Sequence, residues 1–169
     1  PAADGETRVR FRAEGTASWS ETPWLAAAAR QDGIAVHSLP ALSPGTRYEI
    51  AVQVRRDAGD NRPDEQPGGF KTAPAPDQGG SVVFCIMTCQ KYEKIDRPDG
   101  LAIYPAMQRG APDFMINTGD VLYYDHGPVH ALNQELARYH WARMFALPTL
   151  RDFHRTCSTF FMKDDHDIL

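Results

Sequence analysis

Three short groups of side chains that could bind metal ions are spread over the second half of the sequence. The first group contains Cys89, the second contains Asp120 and Tyr123, and the third is Asp164-Asp165-His166-Asp167. Carboxylates bind hard cations, and a thiolate or a phenol can join them where the metal is iron-like. Three carboxylates beside one histidine repel one another unless a cation or hydrogen bonds lie among them. These residue types indicate a metal site.

Simpler interpretations exist for each group. Cys89 could be a small buried side chain, because free cysteines are most often packing residues. Gly119-Asp120-x-x-Tyr123 could be an ordinary turn, and Asp165 with His166 could cap a strand end. Agreement among the three groups favours the metal site over these separate explanations.

Each group follows an apolar run that predicts a β-strand. Residues 81–87 are a continuous apolar run, as expected for a strand buried on both faces, residues 113–118 predict a second buried strand, and residues 158–163 predict a third strand. Helical patterns separate them, which implies a parallel sheet with right-handed crossovers. In such sheets, ligands bind beyond the carboxyl ends of the strands. The three groups are therefore expected to meet at one edge.

Two longer segments and one short one have helical signals. Residues 99–109 have apolar side chains at helical spacing, and Pro105 within them predicts a kink or a late helix start. Residues 131–146 predict an amphipathic helix whose apolar face begins at Leu132. A capping box from Thr149 to Asp152 predicts the start of a short helix.

The first half has the pattern of an all-β domain. Arg47–Arg55 alternates apolar and polar residues over nine positions, Thr7–Arg12 does so over six, and Gly33–His37 predicts a further strand. The alanines around Ala26–Ala29 are interpreted as a short helical turn between strands. Leu42–Tyr48 resembles the E–F corner of fibronectin type III domains, in which a tyrosine hydrogen-bonds to upstream backbone.

That resemblance implies an incomplete β-sandwich. Gly69–Pro74 resembles the last strand of the fibronectin fold. Only about 75 residues are present where such a sandwich has about 90 to 100, so its first two strands are expected to be missing. The Pro- and Gly-rich segment Thr72–Ser81 predicts a boundary. The domains are therefore predicted at residues 1–75 and 81–169, with a linker at 76–80.

Composition excludes several classes of protein. The 169 residues contain 18 Lys plus Arg and 22 Asp plus Glu, a net charge of −4, so a basic nucleic-acid-binding or membrane-surface protein is excluded. No apolar run reaches the roughly 18 residues that a membrane span needs. Three cysteines are too few for a disulfide framework.

The three groups together resemble the PhoD-like alkaline phosphatases, which belong to the calcineurin-like metallophosphoesterases. The resemblance rests on Thr88–Glu93, on Gly119-Asp120-x-x-Tyr123-x-Asp125, and on Asp164–Asp167. That family carries a fibronectin-like domain ahead of its catalytic domain, so the resemblance covers essentially the whole chain. The implied fold is a β-sandwich followed by the N-terminal portion of an α/β metallophosphoesterase domain.

The resemblance implies a role for each site residue. Cys89, Asp120, Tyr123 and Asp165 match metal ligands: an unusual thiolate, a bridging carboxylate, a phenolate on iron, and the position of a metal-binding asparagine. His166 matches the group that faces the leaving-group oxygen, with Asp167 expected to orient its ring. The implied cofactors are iron and calcium, with two manganese or zinc ions as the alternative. The implied reaction is in-line attack of a metal-bound hydroxide on phosphorus.

The family resemblance also sets expectations about partners and location. A phosphate mono- or diester is the expected substrate, and export across the bacterial inner membrane is implied. The family supplies further ligands from segments after the Asp-His motif, so the chain is expected to be a fragment or to pair with a second polypeptide. Alone, it is expected to expose a large apolar face and to be insoluble or inactive.

A second hypothesis comes from a different functional class. The β-sandwich could be the working part, as a non-catalytic adhesion or carbohydrate-binding module that uses Trp19 and Trp24. Bound metal discriminates between the two hypotheses, because only the hydrolase requires it.

Overall fold

The chain folds as two compact units, Pro1–Gly80 and Ser81–Leu169. The computed structural model describes residues 4–168. None of the helices in this part of the chain has the length and apolar character needed to cross a membrane.

The first unit is a five-stranded antiparallel sheet. Its strands are β1 (Gly5–Ala13), β2 (Ser20–Glu21), β3 (Leu25–Ala27), β4 (Arg47–Arg55) and β5 (Asp64–Lys71). The order is β2-β1-β4-β5, and β3 also pairs with β1. The predicted strand Arg47–Arg55 is confirmed over its whole length, and β1 extends slightly beyond the predicted Thr7–Arg12.

One face of this sheet is apolar. Val9 and Phe11 of β1 are buried and lie opposite Val52 and Ile50 of β4. The arginines between them project from the other face, as period-two alternation requires. A slip of one residue would move these apolar side chains to the other face of the sheet.

The predicted tyrosine corner is present in this unit. The Tyr48 hydroxyl accepts a hydrogen bond of 2.9 Å from the backbone N–H of Ser43, five residues upstream. The Tyr48 ring stacks on Phe70 of β5, with the ring centroids 5.5 Å apart.

Other predictions for the first half are corrected. Gly33–His37 is not a strand. The His37 imidazole instead hydrogen-bonds to the Thr7 and Thr22 hydroxyls at 2.9 and 3.0 Å, and Val36 is 84% exposed. The helical turn lies at Ala29–Gln31, after β3. Residues 4–80 form one sheet rather than two, so the fibronectin sandwich stays a prediction.

The second unit is an α/β layer. It contains β6 (Phe84–Met87), α1 (Ile103–Arg109), β7 (Phe114–Asn117), α2 (Gln134–Phe145), α3 (Pro148–His154) and β8 (Ser158–Phe161). The three strands are parallel in the order β6-β7-β8, which confirms the predicted topology. Its core includes Tyr104, Met115, Met144, Leu150 and Phe153, which are at most 1% exposed.

The sheet of the second unit is covered on one face only. Phe84, Ile86 and Phe160 are 49%, 62% and 60% exposed, and Ile86 pairs with Ile116 of β7, which in turn pairs with Phe160 of β8. The prediction that residues 81–87 form a strand buried on both faces is therefore wrong. An exposed apolar sheet face is what an incomplete layer predicts.

The helices differ in detail from their predicted limits. α1 begins at Ile103, so Pro105 lies in its first turn, where a missing N–H costs no helical hydrogen bond. α2 begins after the cap Asn133, so Leu132 precedes it and is 82% exposed. Thr149 is not a cap: Pro148 opens α3, and the Thr149 hydroxyl accepts the Leu101 N–H at 3.0 Å.

Candidate metal centre

The loops that follow β6, β7 and β8 are joined to one another by backbone hydrogen bonds. The N–H of Gln90 donates to the carbonyl of Asp120 at 3.1 Å, and the N–H of Tyr124 donates to the carbonyl of His166 at 3.1 Å. Parallel pairing places the three strand ends at one edge, and these bonds fix the spacing between the loops. The side chains that follow the strands are thereby brought together.

A thiol and a phenol converge on one carboxylate at this edge. The Cys89 sulfur lies 3.3 Å from Oδ2 of Asp120, and the Tyr123 hydroxyl donates to the same oxygen at 2.9 Å. Asp120 and Tyr123 are buried, at 7% and 8% exposure. Three groups that can each become anionic therefore share a space of a few ångströms.

Two of these residues have a backbone conformation that side chains disfavour. Cys89 has φ of +57° and Asp120 has φ of +51°. Each such residue costs on the order of 1–3 kcal/mol, and strain of this kind concentrates at functional sites. Gly119 has φ of +116°, and a Cβ there would lie 2.5 Å from the Cβ of Asp164. Glycine thus allows the second and third loops to touch.

The carboxylate of Asp120 has an unsatisfied oxygen. Its Oδ1 is buried without a hydrogen-bond partner, while Oδ2 is held by Cys89 and Tyr123. A buried carboxylate oxygen without a partner is costly, and a cation is the partner that would remove that cost. The donor set of thiol, phenol and carboxylate is one that could hold a metal ion.

The phenol of Tyr123 remains protonated in this arrangement. Burial, together with the neighbouring Cys89 and Asp120, raises the pKa of Tyr123 above its ordinary value. A cation bound at the hydroxyl would favour ionisation of this phenol.

Asp165 and His166 complete a second part of the site. One ligand atom from each of Asp120, Asp165 and His166 lies within 4.8 Å of the other two. The turn Asp165–Asp167 is capped by Asp164, whose side chain accepts the Asp165 N–H at 2.9 Å. Because the Asp164 side chain caps this turn, the carboxylate of Asp165 does not serve as the cap.

The partner of the His166 ring is Asp125, not Asp167. Nδ1 of His166 lies 2.8 and 2.9 Å from the two oxygens of Asp125. This hydrogen bond raises the pKa of His166. Hydrogen bonds from His126 and from His166 lower the pKa of Asp125 to about 2, so its carboxylate is ionised at neutral pH.

Asp167 instead supports the backbone. Its carboxylate is buried and accepts the N–H groups of Val121 at 3.1 Å, Leu122 at 2.7 Å and Asp164 at 3.3 Å. The prediction that Asp167 orients the imidazole is therefore corrected. Asp167 is the third residue of the turn that Asp164 caps, and from there its carboxylate reaches backbone N–H groups rather than the ring of the adjacent His166.

The sequence interpretation missed two contacts of the site. Nδ1 of His126 lies 2.9 Å from Oδ1 of Asp125, and the His126 ring centroid lies 5.0 Å from that of His166. Lys91 places its ammonium 3.9 Å from the centre of the Tyr123 ring. The adjacency of Asp125 and His126 was a signal in the sequence, whereas nothing local connects Lys91 with Tyr123.

The remaining cysteines and histidines lie apart from this cluster. Cys85 and Cys157 are free, as Cys89 is, and pack beside or within the core of the second unit. His140 is buried with Nε2 2.9 Å from the carbonyl of Val129, and His154 lies among aromatic rings.

The fold of the chain is similar to that of a solved structure. A structure of PhoD superposes with a TM-score of 0.81 and 17% sequence identity, over 98% of this chain. The chain has a PhoD-like fold. It spans 33% of the length of that PhoD chain. No protein-family model matches the sequence, and no curated protein matches it.

Proposed function

We propose that the chain is part of a metal-dependent phosphoester hydrolase of the PhoD type. The observation that carries the proposal is the convergence of the Cys89 thiol and the Tyr123 phenol on Asp120, with Asp165 and His166 beside them. Thiol, phenol and carboxylate together are an unusual set for a purely structural contact. The PhoD-like fold supports the same conclusion.

Each residue has a distinct task in this proposal. Cys89, Asp120, Tyr123 and Asp165 hold the metal ions, which when bound neutralise charge on the phosphoryl group and activate water. Asp125 fixes Nδ1 of His166. The other ring nitrogen is then the atom that gives a proton to the leaving-group oxygen.

The proposed metals are iron with calcium. A thiolate and a phenolate favour iron, while oxygen ligands such as those of Asp120 and Asp165 suit calcium. Two manganese or zinc ions are the alternative, and the effect of Cys89→Ser separates the two cases. An iron–thiolate site loses metal and its charge-transfer colour on this substitution, whereas a site of oxygen and nitrogen ligands changes little.

The proposal includes a further segment or a second chain that completes the site. The apolar sheet face around Ile86 and Phe160 needs a covering layer, and this chain spans a third of the PhoD structure that it resembles. The substrate is a phosphate mono- or diester, and export is part of the same proposal through the family resemblance.

A metal-binding measurement tests the site. The purified chain and its Asp120→Asn variant are loaded with iron and calcium, desalted, and analysed by mass spectrometry for retained metal. We expect retention by the wild-type chain and loss in Asp120→Asn, while Asp152→Asn, which changes an exposed acid on α3, retains the wild-type content. Equal metal content in all three chains would contradict the proposal.

A turnover measurement tests the reaction. Hydrolysis of p-nitrophenyl phosphate and bis(p-nitrophenyl) phosphate is expected only when the completing segment or chain is present. Turnover by the 169-residue chain alone would contradict the proposed incompleteness. Metal retention without turnover in the completed protein would contradict the hydrolase.

The competing hypothesis of a carbohydrate-binding module gains no support from the first unit. The guanidinium groups of Arg8 and Arg55 lie 4.8 and 4.0 Å from the ring centre of Trp24, and Arg12 lies 4.5 Å from that of Trp19. Indole faces that are covered by guanidinium groups offer no free platform for a sugar ring.

A further inference from the structure

A second group of metal-binding side chains lies beside the first. One ligand atom from each of Asp125, His126 and His166 lies within 4.8 Å of the other two. Oδ1 of Asp125 is 2.9 Å from Nδ1 of His126 and 2.8 Å from Nδ1 of His166. Two imidazoles therefore share one ionised carboxylate.

The protein holds these three residues in place before any ligand binds. The Tyr124 N–H bonds to the carbonyl of His166, which ties the two segments that carry the group. The Tyr124 hydroxyl in turn accepts the Trp141 indole N–H at 2.8 Å. On the other side of the loop, the Glu93 carboxylate packs so closely on Gly127 that a Cβ there would lie 2.5 Å from it.

The donor atoms suit a borderline transition ion. Zinc binds imidazole nitrogen at about 2.0–2.1 Å and carboxylate oxygen at about 2.0–2.2 Å, so tetrahedral donors are roughly 3.3 Å apart. The observed separations need only small side-chain movements to reach that geometry. Nitrogen donors disfavour calcium and magnesium, which take oxygen ligands.

We propose that Asp125, His126 and His166 form a binding site for a zinc-type divalent ion, distinct from the Cys89–Asp120–Tyr123 cluster. Asp125 and His126 are exposed, at 56% and 46% for their side chains. The fourth coordination position therefore faces solvent and is filled by water. An ion can enter without opening the fold.

Occupation of this site has a consequence for the reaction, and that consequence rests on the proposed function. An ion bound by His166 keeps the imidazole from the leaving-group oxygen. Excess zinc is therefore an inhibitor of the completed hydrolase. The binding itself depends on the three side chains alone.

Cobalt(II), without any other ligand, is the probe for the site. All chains carry Cys89→Ser and Asp120→Asn, which together remove two ligands of the Cys89–Asp120–Tyr123 cluster, and Phe160→Thr, which reduces self-association through the exposed sheet face. Visible absorption during a Co²⁺ titration reports binding, and Zn²⁺ is then added to displace the bound Co²⁺. We expect one site in this background and unchanged affinity after His130→Ala, which removes an exposed histidine four residues away.

His126→Ala is the deciding variant. It is expected to weaken Co²⁺ binding by at least about tenfold. Replacing a residue that only hydrogen-bonds to a metal ligand already lowers metal affinity by about that much, and His126 is itself a proposed ligand. Absence of Co²⁺ binding in the background chain, or equal affinity with and without His126, would overturn the proposal. Iron retention in the wild-type chain is measured separately, so a failure of the proposed hydrolase site does not mimic either result.

Discussion

Gly119→Ala is expected to separate the second and third loops of the candidate metal centre. Gly119 has φ of +116°, and an added Cβ would lie 2.5 Å from the Cβ of Asp164 and 3.2 Å from its nitrogen. Carbon atoms in contact are ordinarily about 3.5–4.0 Å apart, so the two backbones must move about 1 Å. Asp164 precedes Asp165, and Gly119 precedes Asp120. The movement therefore acts directly on two proposed metal ligands.

The size of the effect follows from two contributions. A side chain at a glycine-only backbone conformation costs on the order of 1–3 kcal/mol. The clash of the added Cβ with the Cβ of Asp164 costs about 1–3 kcal/mol more, because that atom cannot move without its backbone. The free energy of unfolding of the second unit is therefore expected to fall by about 2–6 kcal/mol.

Helical circular dichroism measures this change in the right unit. All three α-helices of the described residues lie in the second unit, so the helical signal during urea unfolding reports its stability. Gly127→Ala is the control: φ is +82°, but the close atom is the flexible end of Glu93. The control is expected to lose only the backbone contribution and to retain iron. Equal destabilisation in the two variants, or full iron retention in Gly119→Ala, would refute the close-approach argument.

Three further predictions concern the second unit. Burial lowers the folded-state pKa of His154 to about 4 from an unfolded value of 6.5, so protons bind the unfolded chain first as the pH falls. The free energy of unfolding, measured by urea denaturation, should therefore fall by about 2–3 kcal/mol as the pH is lowered from 6.5 to about 4. His154→Phe should remove this pH dependence, and His130→Phe should leave it unchanged. Asp167→Asn should cost about 2–3 kcal/mol in urea unfolding by leaving backbone N–H groups without acceptors, and a cost equal to that of Asp152→Asn would contradict this. Phe160→Thr should shift the chain toward monomer in analytical ultracentrifugation, and an unchanged distribution would show that the exposed sheet face does not drive association.

Local patterns were sufficient for much of the fold. Arg47–Arg55 is predicted at its true limits because a period-two alternation of nine residues is satisfied only by a half-buried strand. The parallel pairing of β6, β7 and β8 follows from the alternation of strands and helices, because strands joined by a crossover helix lie parallel.

The same patterns could not show which residues lack a covering layer. Continuous apolar runs predict burial on both faces, yet Phe84 and Ile86 are exposed because no described residue packs over them. Gly33–His37 alternates like a strand, but a strand needs a neighbour with free backbone groups. The His37 ring instead contacts Thr7 and Thr22.

At the candidate site, the sequence determined which residue types follow each strand. Because the carboxyl ends of parallel strands share an edge, it also predicted that these residues lie near one another. Cys89, Asp120 and Tyr123 could thus be named from their positions alone. The partner of His166 was decided only by the tertiary structure. Asp167 is its neighbour in sequence, but the turn directs that carboxylate to backbone N–H groups, while Asp125 reaches the ring from 41 residues away. Hydrogen bonds of this kind depend on side-chain direction in the folded chain, which spacing along the sequence does not specify.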